Sequence, residues 1–140
     1  MATLSPAARA FLEEPRFCVF ADIGRDGVPH QTVLWNELQG DEIMMNTARG
    51  RAKDRNLHRD ARASFCVEDG LRYVTIVGTC TLNWEDQERA QADIKRLAER
   101  YDGPERAERM AANQFRKQER ETIRMTIERV DEHGFEPGNH

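Results

Sequence analysis

The chain has 140 residues, of which 39% are hydrophobic and 33% charged, and its formal net charge is −4. This length fits one domain with a core of its own, and the acidic balance argues against general nucleic-acid binding, which leaves a basic footprint. No stretch approaches the roughly 20 apolar residues of a membrane-spanning helix, and no signal peptide is recognisable at the N-terminus. We therefore expect one domain over residues 1–140, no membrane partner and a cytoplasmic location.

The first part of the chain reads as a helix followed by three strands. Ser5 is a suitable N-cap and Pro6 a suitable first helical residue, and Pro15 ends this helix. Strands are predicted over residues 17–23, 29–35 and 43–46, and turn-forming residues at 24–27 join the first two as a hairpin. Because all three strands are joined by tight turns, we expect them to form an antiparallel meander.

The rest of the chain alternates further helices and strands. The patterns predict helices over residues 51–58, 86–101 and 105–117, and strands over residues 62–67, 73–82 and 122–128. Gly78 interrupts the long β-branched strand, which indicates a bulge or a close approach by ligand or backbone. The tail over residues 132–140 is expected to be disordered. Six strands with interspersed helices favour a small β-barrel.

A basic segment lies where the third strand meets the helix that follows. From Arg49 to Arg62 there are six Arg or Lys against two Asp, a local charge of +4 in an acidic chain. A helix that starts here presents free N–H groups and the positive end of its dipole, which together attract anions. The alternative is a solvated helix face, since Arg51, Arg55 and Arg59 are spaced at i, i+4. Both interpretations stay open on charge alone.

Metal binding is not indicated by the spacing of the cysteines and histidines. The three cysteines lie in separate apolar runs, and the four histidines form no HExxH or similar pattern. We therefore expect no structural metal. Spacing also identifies no residue as a catalytic acid or base.

Four motifs in a fixed order resemble a known family. They are Asp26-Gly27-x-Pro29-His30, the segment from Asn46 to Leu57, Arg72-Tyr73-Val74-x-Ile76-x-Gly78, and a helix ending in Leu97-Ala98-x-Arg100-Tyr101. Their order and spacing hold from about Leu12 to Val130. The chain thus resembles the split β-barrel flavin and deazaflavin oxidoreductases related to pyridoxamine 5′-phosphate oxidase. It is most similar to the B-type branch, which uses coenzyme F420.

The resemblance implies a fold and a site. The fold is a β-rich α+β, six-stranded antiparallel split β-barrel (the FMN-binding split barrel) with peripheral helices, in a homodimer whose cofactor sites lie at the subunit interface. Residues matching Arg51 and Lys53 bind the phosphate side of the cofactor, and the strand from Gln31 to Trp35 runs beside its ring. Asn56 either fixes the helix or contacts the cofactor. The full set of expected cofactor-binding residues is Gln31, Thr32, Val33, Leu34, Trp35, Asn46, Thr47, Ala48, Arg49, Gly50, Arg51, Lys53 and Asn56.

The resemblance also implies a function. It is reduction of a small conjugated organic substrate by hydride transfer from reduced F420. The anionic phosphodiester and polyglutamate tail of F420 suit the arginine-rich segment better than the single phosphate of FMN does. Two alternatives remain: an FMN-dependent oxidoreductase of the pyridoxamine-phosphate oxidase type, and a non-catalytic protein that binds a flavin, a deazaflavin or a haem-like tetrapyrrole.

Overall fold

The computed structural model describes residues 2–135, and this part of the chain contains eight strands and four α-helices. The helices are α1 (Pro6–Glu13), α2 (Ala52–Arg59), α3 (Gln87–Asp102) and α4 (Pro104–Asn113), and a short 3₁₀ helix covers Phe115–Lys117. The strands are β1 (Cys18–Ile23), β2 (Pro29–Leu34), β3 (Glu37–Gln39), β4 (Glu42–Ala48), β5 (Arg62–Glu68), β6 (Tyr73–Asn83), β7 (Arg120–Thr126) and β8 (Arg129–His133).

The strands form one curled antiparallel sheet. Their order is β2-β1-β5-β6-β7-β4-β3, and β8 pairs with β6 beside this path. The strands at the two ends of the order, β2 and β3, are separated in the chain only by Trp35 and Asn36. Two residues span about 7–11 Å at most, so the sheet must curl until its end strands approach each other. The expected antiparallel barrel with peripheral helices is confirmed.

Two details of the expected fold are wrong. There are eight strands rather than six, because β3 has only three residues and β8 lies partly in the segment expected to be a disordered tail. Residues 136–140 of that tail lie outside the described residues. The three-strand meander is also wrong, since β4 pairs with β3 and β7 and not with β2. The short connections between these strands led to the meander prediction, but β2 lies at one end of the sheet order and β4 lies next to the other end.

Strand β4 is buried on both faces. Ile43 and Met45 pack into the barrel core with Phe20 and Phe65, whereas Met44 packs with residues of α3 and α4 in a second apolar cluster. Because side chains alternate along a strand, β4 and its partner β7 form a wall between the two clusters. This wall positions the polar side chains at its end, from Asn46 onwards.

Gly78 marks the point where β6 changes partners. Residues of β6 up to Thr79 pair with β5, those up to Val77 also pair with β8, and those from Cys80 onwards pair with β7. A Cβ added at Gly78 would lie 1.8 Å from the carbonyl oxygen of Thr126. The predicted close approach is therefore made by backbone, and only glycine fits. In residues 2–135, no helix has the length and apolar character needed to cross a lipid bilayer.

Substitution Gly78→Ala should lower the free energy of unfolding by about 3 kcal/mol, because the new methyl group overpacks against a main-chain oxygen that has no room to move. Urea denaturation measures the change. The control is Gly70→Ala, which enters open space at a φ of 92° and bears only a backbone cost of about 1–2 kcal/mol. Equal losses in the two variants would contradict the proposed close packing.

Candidate functional site

A cavity of about 230 Å³ lies where the end of β2 meets β4, β7 and the helices α3 and α4. Eight of the twelve lining residues are apolar, and the four polar ones include Asn46 of β4 and Arg120 of β7. The lining residues are Phe17, Val33, Leu34, Trp35, Asn46, Arg51, Ile94, Leu97, Met110, Gln114, Phe115 and Arg120.

The apolar side of the cavity has an aromatic wall that Tyr101 supports. The rings of Trp35 and Phe17 each stack on Tyr101, with centroids 5.6 Å apart in both pairs. The Tyr101 hydroxyl donates to the carbonyl of Arg16 at 2.7 Å and accepts from the N–H of Asn36 at 3.0 Å. These bonds fix the ring that holds Trp35 and Phe17, so the wall presents flat apolar surface in a defined orientation.

The polar side of the cavity contains a buried arginine without an acidic partner. Arg120 is 4% exposed. Its Nε donates to Oδ1 of Asn46 at 3.0 Å and its Nη1 to Oε1 of Gln118 at 2.7 Å. Within residues 2–135 no carboxylate forms an ion pair with it. Burial lowers the pKa of Arg120 to about 10, and the charge of Arg51 acts in the same direction.

Asn46 is held in place by contacts with α3 and β7. Its amide nitrogen donates to the carbonyl of Ala90 at 3.0 Å, which leaves Oδ1 directed at Arg120. The predicted site residue Asn46 thus orients a cation that sequence reasoning missed. Arg120 stands next to Glu119 and Glu121 in a charge-rich segment, where nothing in the pattern distinguishes a buried arginine from an exposed one.

Two further cations lie beside Arg120. Arg51 is the N-cap residue of α2, and it lines the cavity as an exposed side chain. Lys53 is buried on the first turn of α2 and does not line the cavity. Burial lowers the pKa of Lys53. The nearby Asp22 carboxylate raises this pKa, whereas the charges of Arg51 and Arg120 lower it further. The three cations therefore share one region of positive potential beside the cavity.

Five of the predicted site residues line this cavity: Val33, Leu34, Trp35, Asn46 and Arg51. The others lie elsewhere. On β2, Gln31 is exposed and Thr32 points to the opposite face of the strand from Gln31, where it is half-buried. Ala48 is buried at the end of β4, and Gly50 forms the turn before α2 with a φ of 90°. For these residues, cofactor contact stays a prediction.

Two more predicted site residues have structural partners of their own, and a third points away from the cavity. Arg49 lies over the ring of Trp84 and 3.3 Å from Oδ2 of Asp54. Asn56 donates to Oδ2 of Asp22 at 2.7 Å, and so anchors α2 to β1. Thr47 is cross-strand from Glu121, on the face of β4 that points away from the cavity.

The comparison with protein families identifies the chain. The family model of pyridoxamine 5′-phosphate oxidase matches residues 4–134. The chain belongs to the pyridoxamine 5′-phosphate oxidase family. The curled antiparallel sheet with peripheral helices is therefore the fold of this family, as the resemblance implied. The comparison with curated proteins finds no match.

Solved structures share this family fold. Rv2991 from Mycobacterium tuberculosis, a conserved hypothetical protein, is 30% identical with a TM-score of 0.78, over 95% of this chain and 86% of that one. An F420 reductase is 21% identical with a TM-score of 0.71, over 88% and 94%. HutZ, the heme storage protein from Vibrio cholerae, is 16% identical with a TM-score of 0.68, over 93% and 94%. At the last two identities the likeness shows the fold alone.

Replacement of the buried arginine tests whether it is an anion-binding group. Arg120→Met should change the free energy of unfolding by only about 1 kcal/mol, because the removal of a buried cation without an acidic partner is offset by the loss of its hydrogen bonds to Asn46 and Gln118. The same variant should lose the stabilisation that inorganic pyrophosphate gives to the parent chain. Urea denaturation with and without pyrophosphate measures both effects.

The matched control is Arg124→Met. Arg124 lies on the same face of β7, but it already has Glu42 and Gln39 as partners. This variant should keep the full response to pyrophosphate. Undiminished stabilisation of Arg120→Met by pyrophosphate would contradict the assignment.

Proposed function

We propose that this chain is an oxidoreductase that transfers hydride from reduced coenzyme F420 to a small conjugated organic substrate. The observation that carries the proposal is Arg120, a buried cation without a carboxylate partner on the wall of a cavity that also has an aromatic side. F420 combines a flat deazaflavin ring with an anionic phosphodiester and glutamate tail. An aromatic wall and a set of cations suit these two halves.

The residues have separate roles in this proposal. Trp35 and Phe17 contact the ring side of the cofactor, and Arg51 and Arg120 bind its phosphodiester, with Lys53 adding positive potential behind them. The deazaflavin supplies the hydride, while the protein binds, orients and excludes water. A guanidinium binds phosphate oxygens through two parallel hydrogen bonds, which gives Arg51 and Arg120 an orienting role as well as an electrostatic one.

The choice of F420 over other cofactors rests on the charge and lining of the cavity. Three cations exceed what the single phosphate of FMN needs, and an F420 reductase has the same fold. An FMN-dependent oxidoreductase is the second candidate. A heme-binding role, by analogy with HutZ, is less well supported, because no histidine or cysteine lines the cavity in the described part of the chain.

A second copy of the chain completes the site in this proposal. The cavity is smaller than the roughly 300–1,000 Å³ of typical ligand pockets, so one chain supplies only part of it. Beside its mouth, the outer face of β1 and β2 carries Val19 and Val33, cross-strand partners that are 41% and 64% exposed, with Phe17 next to them. Apolar side chains grouped in this way on a sheet are typical of an interface. We infer a homodimer with cofactor sites at this interface.

Cofactor binding tests the function directly. Fluorescence titration of the purified chain should show tight binding of F420 and weak binding of FMN. Arg51→Ala and Lys53→Ala should each weaken F420 binding about tenfold or more, since each removes a positive charge from the anion site. Oxidation of reduced F420, followed by absorbance, should then require a conjugated acceptor such as an enone or a quinone.

The control for this titration is Arg62→Ala, an exposed arginine whose charge is already balanced by Asp60 at 2.7 Å. It should bind F420 like the parent chain. Tight binding of FMN with weak binding of F420 would contradict the F420-dependent function and support an FMN-dependent oxidoreductase. Equal F420 affinity in all three variants would contradict the role of Arg51 and Lys53.

The dimer is tested by a charge on its proposed face. Val19→Asp should give a monomer in size-exclusion chromatography with light scattering and should weaken F420 binding, because a carboxylate cannot be buried without a partner. Val28→Asp is the matched control, since Val28 is 59% exposed but lies in the β1–β2 turn. A monomeric parent chain, or a dimeric Val19→Asp variant, would contradict the proposed interface.

A further inference from the structure

Three potential metal ligands meet on the side of β4 and β7 that faces away from the cavity. Asp54 and His58 are spaced at i, i+4 on α2, so they share one face of the helix. Glu121 is on β7. One ligand atom from each of the three lies within 4.8 Å of the other two. Nε2 of His58 is 3.0 Å from Oδ1 of Asp54 and 2.8 Å from Oε1 of Glu121.

The cluster is separate from the cavity although it uses neighbouring residues. Arg120 and Glu121 are consecutive on β7, so their side chains point to opposite faces of the strand. The same alternation on β4 places Asn46 beside the cavity and Thr47 beside Glu121, its cross-strand partner. A ligand in the cluster therefore does not occupy the cavity, and this inference does not rest on the proposed function.

Several polar atoms in the cluster are buried and have no hydrogen-bond partner. Among residues 2–135 they include Oε2 of Glu121, Oδ1 of Asp54 and Oγ1 of Thr47, and also Nε and Nη1 of the neighbouring Arg49. Glu121 is 0% exposed and Thr47 is also buried. Buried polar atoms nearly always have partners, so three unpartnered oxygens in one place indicate a missing ligand.

The chemistry of these atoms favours a cation over a water molecule. Two carboxylates, together with the imidazole in the tautomer that carries its proton on Nδ1, offer at least four lone pairs towards the same space, whereas a water molecule can donate only two hydrogens. The ionised forms of two such carboxyl groups repel each other, and a positive ion between them would remove that repulsion. Nitrogen and oxygen donors in this combination suit divalent first-row metals such as Zn²⁺, Mn²⁺ and Fe²⁺.

Further contacts orient the ligands. Oδ2 of Asp54 accepts from the N–H of Gly50 at 2.7 Å and lies 3.3 Å from Nε of Arg49, which leaves Oδ1 for the ion. The ring of His58 packs edge-on against Trp84, with centroids 4.8 Å apart. Such outer contacts are typical of metal sites, where they fix the ligands and tune their basicity.

We propose that Asp54, His58 and Glu121 bind one divalent transition-metal ion, with Thr47 available as a further oxygen donor. Ligand atoms about 2.0–2.2 Å from such an ion lie roughly 3.0–3.4 Å from one another. The present separations require small outward movements, which the half-exposed His58 can make. The ion joins α2, which carries Arg51 and Lys53, to β7, which carries Arg120. Pattern matching does not detect the site, because Glu121 is 63 residues from His58.

The experiment uses the full chain without an affinity tag, after removal of metals by EDTA. Calorimetric titration with ZnCl₂ should show one ion bound per chain. Glu121→Gln and His58→Gln should each weaken Zn²⁺ binding by about a hundredfold or more, since even outer-shell changes cost tenfold to a hundredfold. Titration with Co²⁺ should give d–d absorption bands of nitrogen and oxygen ligands, without a thiolate charge-transfer band.

The matched control is His30→Gln. The His30 side chain is 36% exposed, close to the 34% of His58, and it also lies beside a buried carboxylate, with Nδ1 3.1 Å from Oδ1 of Asp22, but it is not part of the cluster. Its variant should bind Zn²⁺ like the parent chain. Circular dichroism confirms folding, and if Glu121→Gln does not fold, His58→Gln decides the question. Absence of binding, equal affinity in the ligand variants, or a Co²⁺–thiolate band would overturn the proposal.

Discussion

The pairing of β4 with β7 is the constraint on which the rest of the structure depends. Seven residue pairs join the two strands, from Glu42 opposite Thr126 to Ala48 opposite Arg120. Because β4 is buried on both faces, the pair divides the barrel core from the cluster beneath α3 and α4. Any polar residue at the end of these strands must therefore enter one of two enclosed environments. Asn46 and Arg120 point to the side of the cavity, beneath α3 and α4, and Thr47 and Glu121 point to the side of the barrel core.

The buried charges at this end of the wall oppose folding when considered alone. A buried ion without a partner destabilises a protein, and even paired buried ions are weak evidence for stability. Apolar pairs further along the same strands offset this cost, since Ile43 opposes Met125 and Met45 opposes Ile123, all four fully buried. The apolar half of the wall thus stabilises the fold, and the polar half carries the residues of the two proposed sites. Ligand binding, which we propose for both sites, explains why polar groups are buried at this end, whereas stability does not.

The sequence predicted the elements better than their arrangement. Turn residues and alternation were sufficient for the β1–β2 hairpin, for β6 and for α3, because these signals are local. The pairing of β4 with β7 joins segments about 75 residues apart in the chain, and no local pattern encodes it. The same limit applies to the site. Arg49 and Arg51 are equivalent by sequence, yet Asp54 neutralises the first and not the second. Arg120 could be recognised only once its strand partner was known.

Helix α2 connects the two proposed sites. Its consecutive residues Lys53 and Asp54 turn towards opposite sets of charges, the cations beside the cavity and the carboxylate and imidazole groups of the cluster. An anion in the cavity and a metal ion in the cluster would bring opposite charges to the two sides of one strand pair, so each would stabilise the other by attraction. Linkage requires the effect to be equal in both directions. A cofactor that binds more tightly in the presence of the metal must therefore also increase the affinity for the metal.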